Sequence, residues 1–592
     1  MAEHKSLLKN LFFFQEPVEK EGFVLKETRK ERINQKEIEN KKNPQKTKKT
    51  GFFKSREYSI EGKEENSHKE VVENGNQHEV KTKISKKLSE NMEYMKNIYS
   101  IPVNGDIVLR EFDVVIKNKV IPAFILFFDG MVDRKVINDD ILSSLMLWSN
   151  LEIKGDEKEI STFVRNHLLT HNQIKEVEEY EKVIYEINFG GCGIFIDGMD
   201  SAFAADVKGW EHRSIERPNT ELVIRGPQEG FGEILRVNTA LIRKILKDED
   251  LIVENTEVGK RSKTPCSILY IKDIANDSLV EEVKRRINSI STDYMIDSGE
   301  LEQFIEDSPI LPAPQMIATE RPDRVASGLS KGKVAVIMNG SPYALIMPIT
   351  AHELIHSPED LYIRFPYANL LRAIRITAII LSLLLPGLYV AITNFHHEMI
   401  PTDLLIAIEA TREKVPFPTV VEILIMEFSF ELIREAGIRI PAPIGPTLGI
   451  IGALILGQAA VAANIVSPIL IIIVALTGIG SFAAPNFSAG FAFRILRFGF
   501  IILAAMAGFL GITTGIFIQG LWLANAKSFG VPFIAPFGPK TKGGLADEIM
   551  VAPTWNLENR PDFLNPKDKR RQPEISRGWT KKRKEDKDTG EK

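Results

Sequence analysis

Cysteine is almost missing from this chain. Cys192 and Cys266 are the two in 592 residues, which excludes a disulfide framework and fits a reducing compartment. No secretory leader is expected either. The opening MAEHKSLLKNLFFFQEPVEKEG has a short apolar cluster followed at once by acids, so any membrane segment is expected to be internal. Charge of one sign is also lacking. The 75 basic and 79 acidic residues give a net charge of -4, and no nucleic-acid partner is expected. The near-neutral mean hydropathy of -0.07 averages a polar start, a balanced middle, an apolar third quarter and a basic end.

Apolar residues are scarce between about Glu16 and Lys87. Such a composition cannot offset chain entropy, so residues 1–87 are expected to be a disordered polar extension. A first α/β module is expected over 88–212. Its strands are DIVLREFDVV, PAFILFFDG and a hairpin around Gly198, with helices over Ile137–Trp148 and Gln173–Asn188. A second α/β module is expected over 213–368. It contains the strand CSILYIKD, the amphipathic helix SLVEEVKRRI and a hairpin turning at Asn339-Gly340.

The membrane part follows Arg364, Arg372 and Arg375. Expected spans are Ile374–Thr393, Thr447–Val466, Pro468–Phe482 and Phe498–Ala524, each near the ~20 residues that a helix needs. A fifth, Val420–Ala436, is open, and with it the side on which the tail lies. The fold class is therefore multi-domain: two tandem cytoplasmic α/β modules, then a bundle of four to five transmembrane helices over 369–530. Residues 531–592 are expected to be a basic disordered tail.

His352-Glu353-Leu354-Ile355-His356 matches the pattern of zinc proteases. That pattern must lie inside a helix, yet Ser357-Pro358-Glu359-Asp360 follows as a fresh helix start, and there is no convincing third ligand downstream. No catalytic, cofactor or metal residue is assigned. Cys192 and Cys266 are expected to be buried and inert.

Two constellations remain. Arg217, Pro218, Asn219, Glu221, Arg225, Gly226 and Glu229 lie in a stretch of alternating charge around Gly226-Pro227. It is either an ion-pair network around a tight loop or an interface or coupling loop. Glu422, Glu427, Glu431, Arg434 and Glu435 interrupt an apolar segment. On a helix, Glu427, Glu431 and Glu435 share one face, and Glu422 falls nearly opposite. The segment is either an amphipathic helix at the interface or one whose acids line a cation path or pair across subunits.

At this point the strings become specific. RPNTELVIRGPQEGF with the following NTALIR, then SPEDLY, then VPFPTVVEILIMEFSFELIREAGIRIPAPIGPTLGIIGALILGQAAVAANIVSP occur in this order. Over roughly Met92 to Gly538 the chain resembles the A subunits of GerA-type spore germination receptors. The resemblance implies a non-enzymatic subunit of a nutrient receptor in the spore inner membrane. It also implies a transporter-like B subunit and a lipoprotein C subunit as partners, homo-oligomerisation, and a nutrient-gated cation channel, with the germinant bound mainly by a partner chain. A non-conducting scaffold subunit is the alternative; a membrane-anchored zinc protease is the remote one. The polar extension and the HELIH string lie outside the family pattern.

Overall fold

The computed structural model describes residues 23, 25, 83–116, 119–146, 164, 173–209, 218, 220–439, 457–540, 550–573, 576, 577 and 579. The chain divides into two compact units. One comprises residues 27–211 with 247–250; the other comprises 1–26, 212–246 and 251–592.

The first unit contains helix α1 (Leu88–Ile98), strands β1 (Ile107–Ile116) and β2 (Lys119–Phe128), helical turns over 134–146, β3 (Ile174–Val177), α2 (Tyr180–Asn188), β4 (Cys192–Ile196) and β5 (Ala202–Ala205). Its sheet runs β1-β2-β4-β5-β3 and is antiparallel throughout. Alternation of side chains along β2 divides the core. Ala123, Ile125 and Phe127 face Ile137, Ile141 and Leu145, while Phe124 stacks on Phe195 on the opposite face. The expected helix Gln173–Asn188 is corrected here. Its first four residues after Gln173 form β3, pairing with β5 from Ile174 to Val177, because an exposed sheet edge outbids a short helical turn. The expected helix over Ile137–Trp148 is π-helical from Ile137 to Leu142 and α-helical only to Met146. Residues 147 and 148 lie outside the described set.

The second unit repeats that plan. It has α3 (Leu235–Ile245), β6 (Leu251–Val258), β7 (Thr264–Ile271), α4 (Asp277–Ser289), α5 (Ser298–Ile305), β8 (Ile317–Thr319), α6 (Pro322–Ser330), β9 (Val334–Met338) and β10 (Ala344–Met347). The strand order β6-β7-β9-β10-β8 matches the first sheet position for position. Leu279, Val283 and Ile287 of α4 cover one face with Val334, Val336 and Met338. Leu235 and Ile242 of α3 and Val325 and Leu329 of α6 cover the other with Ala335 and Ile337. Each fully buried aliphatic side chain contributes about 1.5–3 kcal/mol. Cys192 and Cys266 are both buried, and burial pushes each thiol up to about 12.

Beyond β10 come α7 (Phe365–Phe395), α8 (Thr402–Arg412), α9 (Thr419–Arg439), α10 (Pro468–Ser481), α11 (Phe487–Asn525) and the short strands β11 (Lys527–Ser528) and β12 (Val531–Pro532). The expectation of four to five spans is met in part. Among the described residues, α7 and α11 are the two helices long and apolar enough to cross a membrane, and α10 is shorter. Much of Thr447–Val466 lies outside the described residues. The outward faces of α7, α10 and α11 carry Ile380, Ile472, Ile479, Ile495, Leu510 and Phe517 exposed, a surface suited to lipid rather than water.

Helix α11 is not one rod. Ala507 and Gly508 leave helical geometry, Gly508 with φ of +57°. A straight helix of this length would extend roughly 58 Å. Instead Ala489 and Ala526, from its two ends, share the core of the second unit. Gly511 lies against the Leu503 carbonyl, and a Cβ at Gly515 would come within 2.8 Å of the Phe500 ring. The helix therefore reverses at 507–508 into two limbs, with Gly511 and Gly515 allowing close approach. The expected span Phe498–Ala524 straddles this reversal.

Part of the expected 531–592 tail is described, and so are residues 23, 25 and 83–87 of the expected 1–87 extension. Leu564 is fully buried in the core formed with α4. Arg560 donates to the Ser330 carbonyl, and Lys567 donates to the Lys272 carbonyl. Val551 exchanges two hydrogen bonds with the Asn369 side chain of α7. Phe23 and Leu25 pack into the same core, beside Gly530. A basic composition hides this docking, because the cations are used to cap carbonyls.

Candidate functional site

The acids of α9 sit where α10 and α11 meet it. Glu427 pairs with Arg497 of α11 at 2.9 Å, and both side chains are 1 % exposed. Arg497 also reaches Glu431 at 3.0 Å. Glu431 accepts from Arg434 at 3.1 Å, and Arg434 donates to Ser481 of α10 at 2.9 Å. Arg494 lies 3.8 Å from Glu431. Among these five residues the cations outnumber the acids, so the acids are neutralised inside the subunit. Breaking such a buried pair from one side leaves an uncompensated charge.

Glu422 falls elsewhere, as the helical wheel requires. It is buried and accepts the Ser467 backbone N–H at 3.0 Å. Glu435 is exposed. Sequence reasoning did not join Arg494 and Arg497 to these acids. Their position opposite two acids in another apolar segment was the signal that they were partners.

The second constellation gathers around α6. Arg321 is fully buried. Its guanidinium donates to the Glu221 and Pro227 carbonyls, at 3.1 and 2.7 Å, and to both oxygens of Asp323. The carboxylate of Glu221 receives Arg324 and the Thr319 hydroxyl. Glu229 pairs with Lys244. Arg225 is exposed, and Pro218 is buried. Gly226 has φ of +129°, a conformation that L side chains avoid, and lies against the ring of Tyr362. Arg217 and Asn219 lie outside the described residues. The ion-pair network around a tight loop is present, and Arg321, which organises it, was not anticipated.

Tyr362 joins this loop to the membrane helix. Its hydroxyl donates to Asp323 at 2.5 Å; burial and then the Asp323 carboxylate push its ionisation well above the usual tyrosine range. Two residues earlier, Asp360 is buried and accepts from Arg372 and Arg375 of α7 at 3.2 and 3.0 Å. A cavity of about 100 Å³ is lined by Asp323, Tyr362, Asp360 and Arg372. Arg372 and Arg375, read from sequence as flanking charges, are thus anchors of α7.

The HELIH string is structural. Ala351–Ile355 is a 3-10 turn with a capping box between Thr350 and Glu353, and Pro358–Leu361 is another, capped by Ser357 and Asp360. Glu353 is buried against Lys333. Burial alone would raise its pKa, but Lys333, then Lys331 and His352, outweigh burial and bring it down to about 2. A glutamate held in that way is not placed to activate water.

Residues 93–563 match the family described as "Bacillus/Clostridium GerA spore germination protein". Spore germination protein KA of Bacillus subtilis is 38% identical over 506 residues, covering 84% of this chain and 92% of that protein. Spore germination protein B1 of the same organism is 39% identical over 451 residues, covering 76% and 92%. The crystal structure of the N-terminal domain of the A subunit of the Bacillus megaterium spore germinant receptor GerK3 aligns with 29% identity and a TM-score of 0.34. It covers 45% of this chain and 96% of that one.

Proposed function

This chain belongs to the Bacillus/Clostridium GerA spore germination protein family, and from that premise we propose how it works as the A subunit of a germinant receptor. Family members are receptor subunits and not enzymes, so the role sought is one of sensing and transmission at a membrane. In this reading the modules at 88–212 and 213–368 face the cytoplasm, 369–530 is the membrane domain, and the receptor sits in the spore inner membrane. Copies of the chain assemble with one another and with a transporter-like and a lipoprotein subunit. Nutrient bound mainly by a partner opens a cation path.

The observation that carries the reading is the continuous set of contacts from the 221–229 loop to α7. Arg321 ties the loop to Asp323, Asp323 accepts from Tyr362, and Asp360 holds Arg372 and Arg375. A displacement of the loop is felt at the start of a membrane helix through charged, buried groups. Glu427 and Glu431 act in coupling rather than as the bare lining of a pore, since arginines of the same subunit neutralise them. Glu435 is the exposed acid of the stripe.

The test is nutrient-triggered release of monovalent cations from spores carrying Glu431→Gln at normal protein levels. Slower or unprompted release supports coupling, and unchanged release overturns it. Absence of nutrient-dependent current in bilayers containing all three subunits would favour the scaffold alternative.

A further inference from the structure

One buried acid of the membrane part is in no ion pair among the described residues. Glu422 is 1 % exposed. One of its carboxylate oxygens accepts the Ser467 N–H, and the other has no hydrogen-bond partner. Arg497 is held by Glu427; Arg412, near Tyr389, reaches Glu409 at 3.8 Å, and its buried Nε has no hydrogen-bond partner. An ionised carboxylate left in that state costs several kcal/mol.

Two hydroxyls join it. Ser467 is the N-cap of α10, where serine ordinarily accepts a backbone N–H. Here it makes no such bond, and its buried Oγ has no partner. The buried Tyr389 hydroxyl of α7 faces the Ser467 hydroxyl, with Glu422 and Arg412 also near it. Next to them the helical path is broken. Residues 457–462 are helical, 463–467 are not, and α10 starts at Pro468, with Asn464 at φ of +52°. Broken helices beside a buried acid are how membrane proteins hold small cations.

We propose that Glu422, Ser467 and Tyr389 form a binding site for a monovalent alkali cation inside a single subunit. The donor set is all oxygen; Arg412 and Glu409 close by offset one another, so one negative charge, that of Glu422, is left to match an ion of one positive charge. A divalent ion would call for more carboxylates. The site locks α7, α9 and α10 together at the turn that precedes α10. It stands apart from the conduction reading, because it lies within one subunit and needs no neighbour or partner.

The experiment is thermal unfolding of the full-length chain in detergent, at constant ionic strength, in lithium, sodium, potassium, caesium or choline chloride. One alkali ion is expected to raise the midpoint saturably over choline. Ser467→Ala and Tyr389→Phe are expected to raise the half-effective concentration about threefold to tenfold, the size of one lost ligand, and Glu422→Gln to abolish the response. Equal midpoints in alkali and choline salts would overturn the site. So would a wild-type response in Glu422→Gln. Should that variant fail to fold, unchanged half-effective concentrations in the two hydroxyl variants would overturn it instead. A receptor that conducts nothing would still show the ion response.

Discussion

Arg497 and Glu427, 70 residues apart in the chain, meet at 2.9 Å in a part of the molecule where each side chain is 1 % exposed. The pair fastens the first limb of α11 to α9. Arg497→Met is expected to lower stability by about 3–5 kcal/mol, because it strands Glu427 in an apolar bundle. Adding Glu427→Gln should recover part of the loss, and thermal unfolding in detergent measures both. Additive losses in the double variant would show that the pair is not an interacting unit.

Tyr362→Phe removes the hydroxyl that reaches Asp323 and leaves the ring against Gly226. The expected stability loss is about 1 kcal/mol, with a larger effect on response. Germination should lag after nutrient addition while the protein level is normal. A wild-type lag would remove Tyr362 from the relay.

Gly226→Ala introduces a Cβ that would lie 2.6 Å from the Tyr362 ring, at a backbone φ of +129°. Strain of about 1–3 kcal/mol is expected, and it should be felt at Tyr362. Limited proteolysis of the 221–229 loop should speed up in the variant.

Glu353 gives a pH signature. Its pKa lies near 2 when folded, against 4.5 for the free group. Its contribution is present above about pH 4.5 and is lost as pH falls towards 2. It amounts to about 3 kcal/mol at one pKa unit per 1.36 kcal/mol. Glu353→Gln should flatten the acid limb of a stability–pH curve in that window. An unchanged limb would show that Lys333 and Glu353 do not govern it.

Gly511→Leu and Gly515→Leu place side chains where the first limb of α11 already lies. Each is expected to spread the hairpin and lower the unfolding temperature by several degrees, more than the same change at Gly520, which has open space. Equal effects at the three glycines would contradict the reversal at 507–508.

Much of the secondary structure was legible, because it rests on local signals. The hairpins at Gly198 and Asn339-Gly340 follow from a positive-φ residue between β-branched runs, and both glycines have φ above +80°. The α4 stripe of Leu279, Val283 and Ile287 is buried as its period demands. The strand at Ile174–Val177 was misread because its sequence IKEV is helix-compatible, and only the free edge of β5 decides otherwise. The matching order of the two sheets was not legible either, since pairing partners are chosen across the chain rather than along it.

The sequence by itself determined the family, the two-module plan, the apolar character of the membrane part and the location of costly acids, because composition, periodicity and ordered motifs are local properties. Tertiary structure alone decided what those acids do. Glu427 and Glu431 are neutralised by arginines from a helix far along the chain, while Glu422 lies near two buried hydroxyls. It also decided that α11 doubles back and that Arg321, rather than the loop's own charges, organises the 221–229 loop. The physical reason is the same in each case. A buried charge or a close backbone approach acquires its meaning from the groups within a few ångströms, and folding brings those groups from anywhere in the chain.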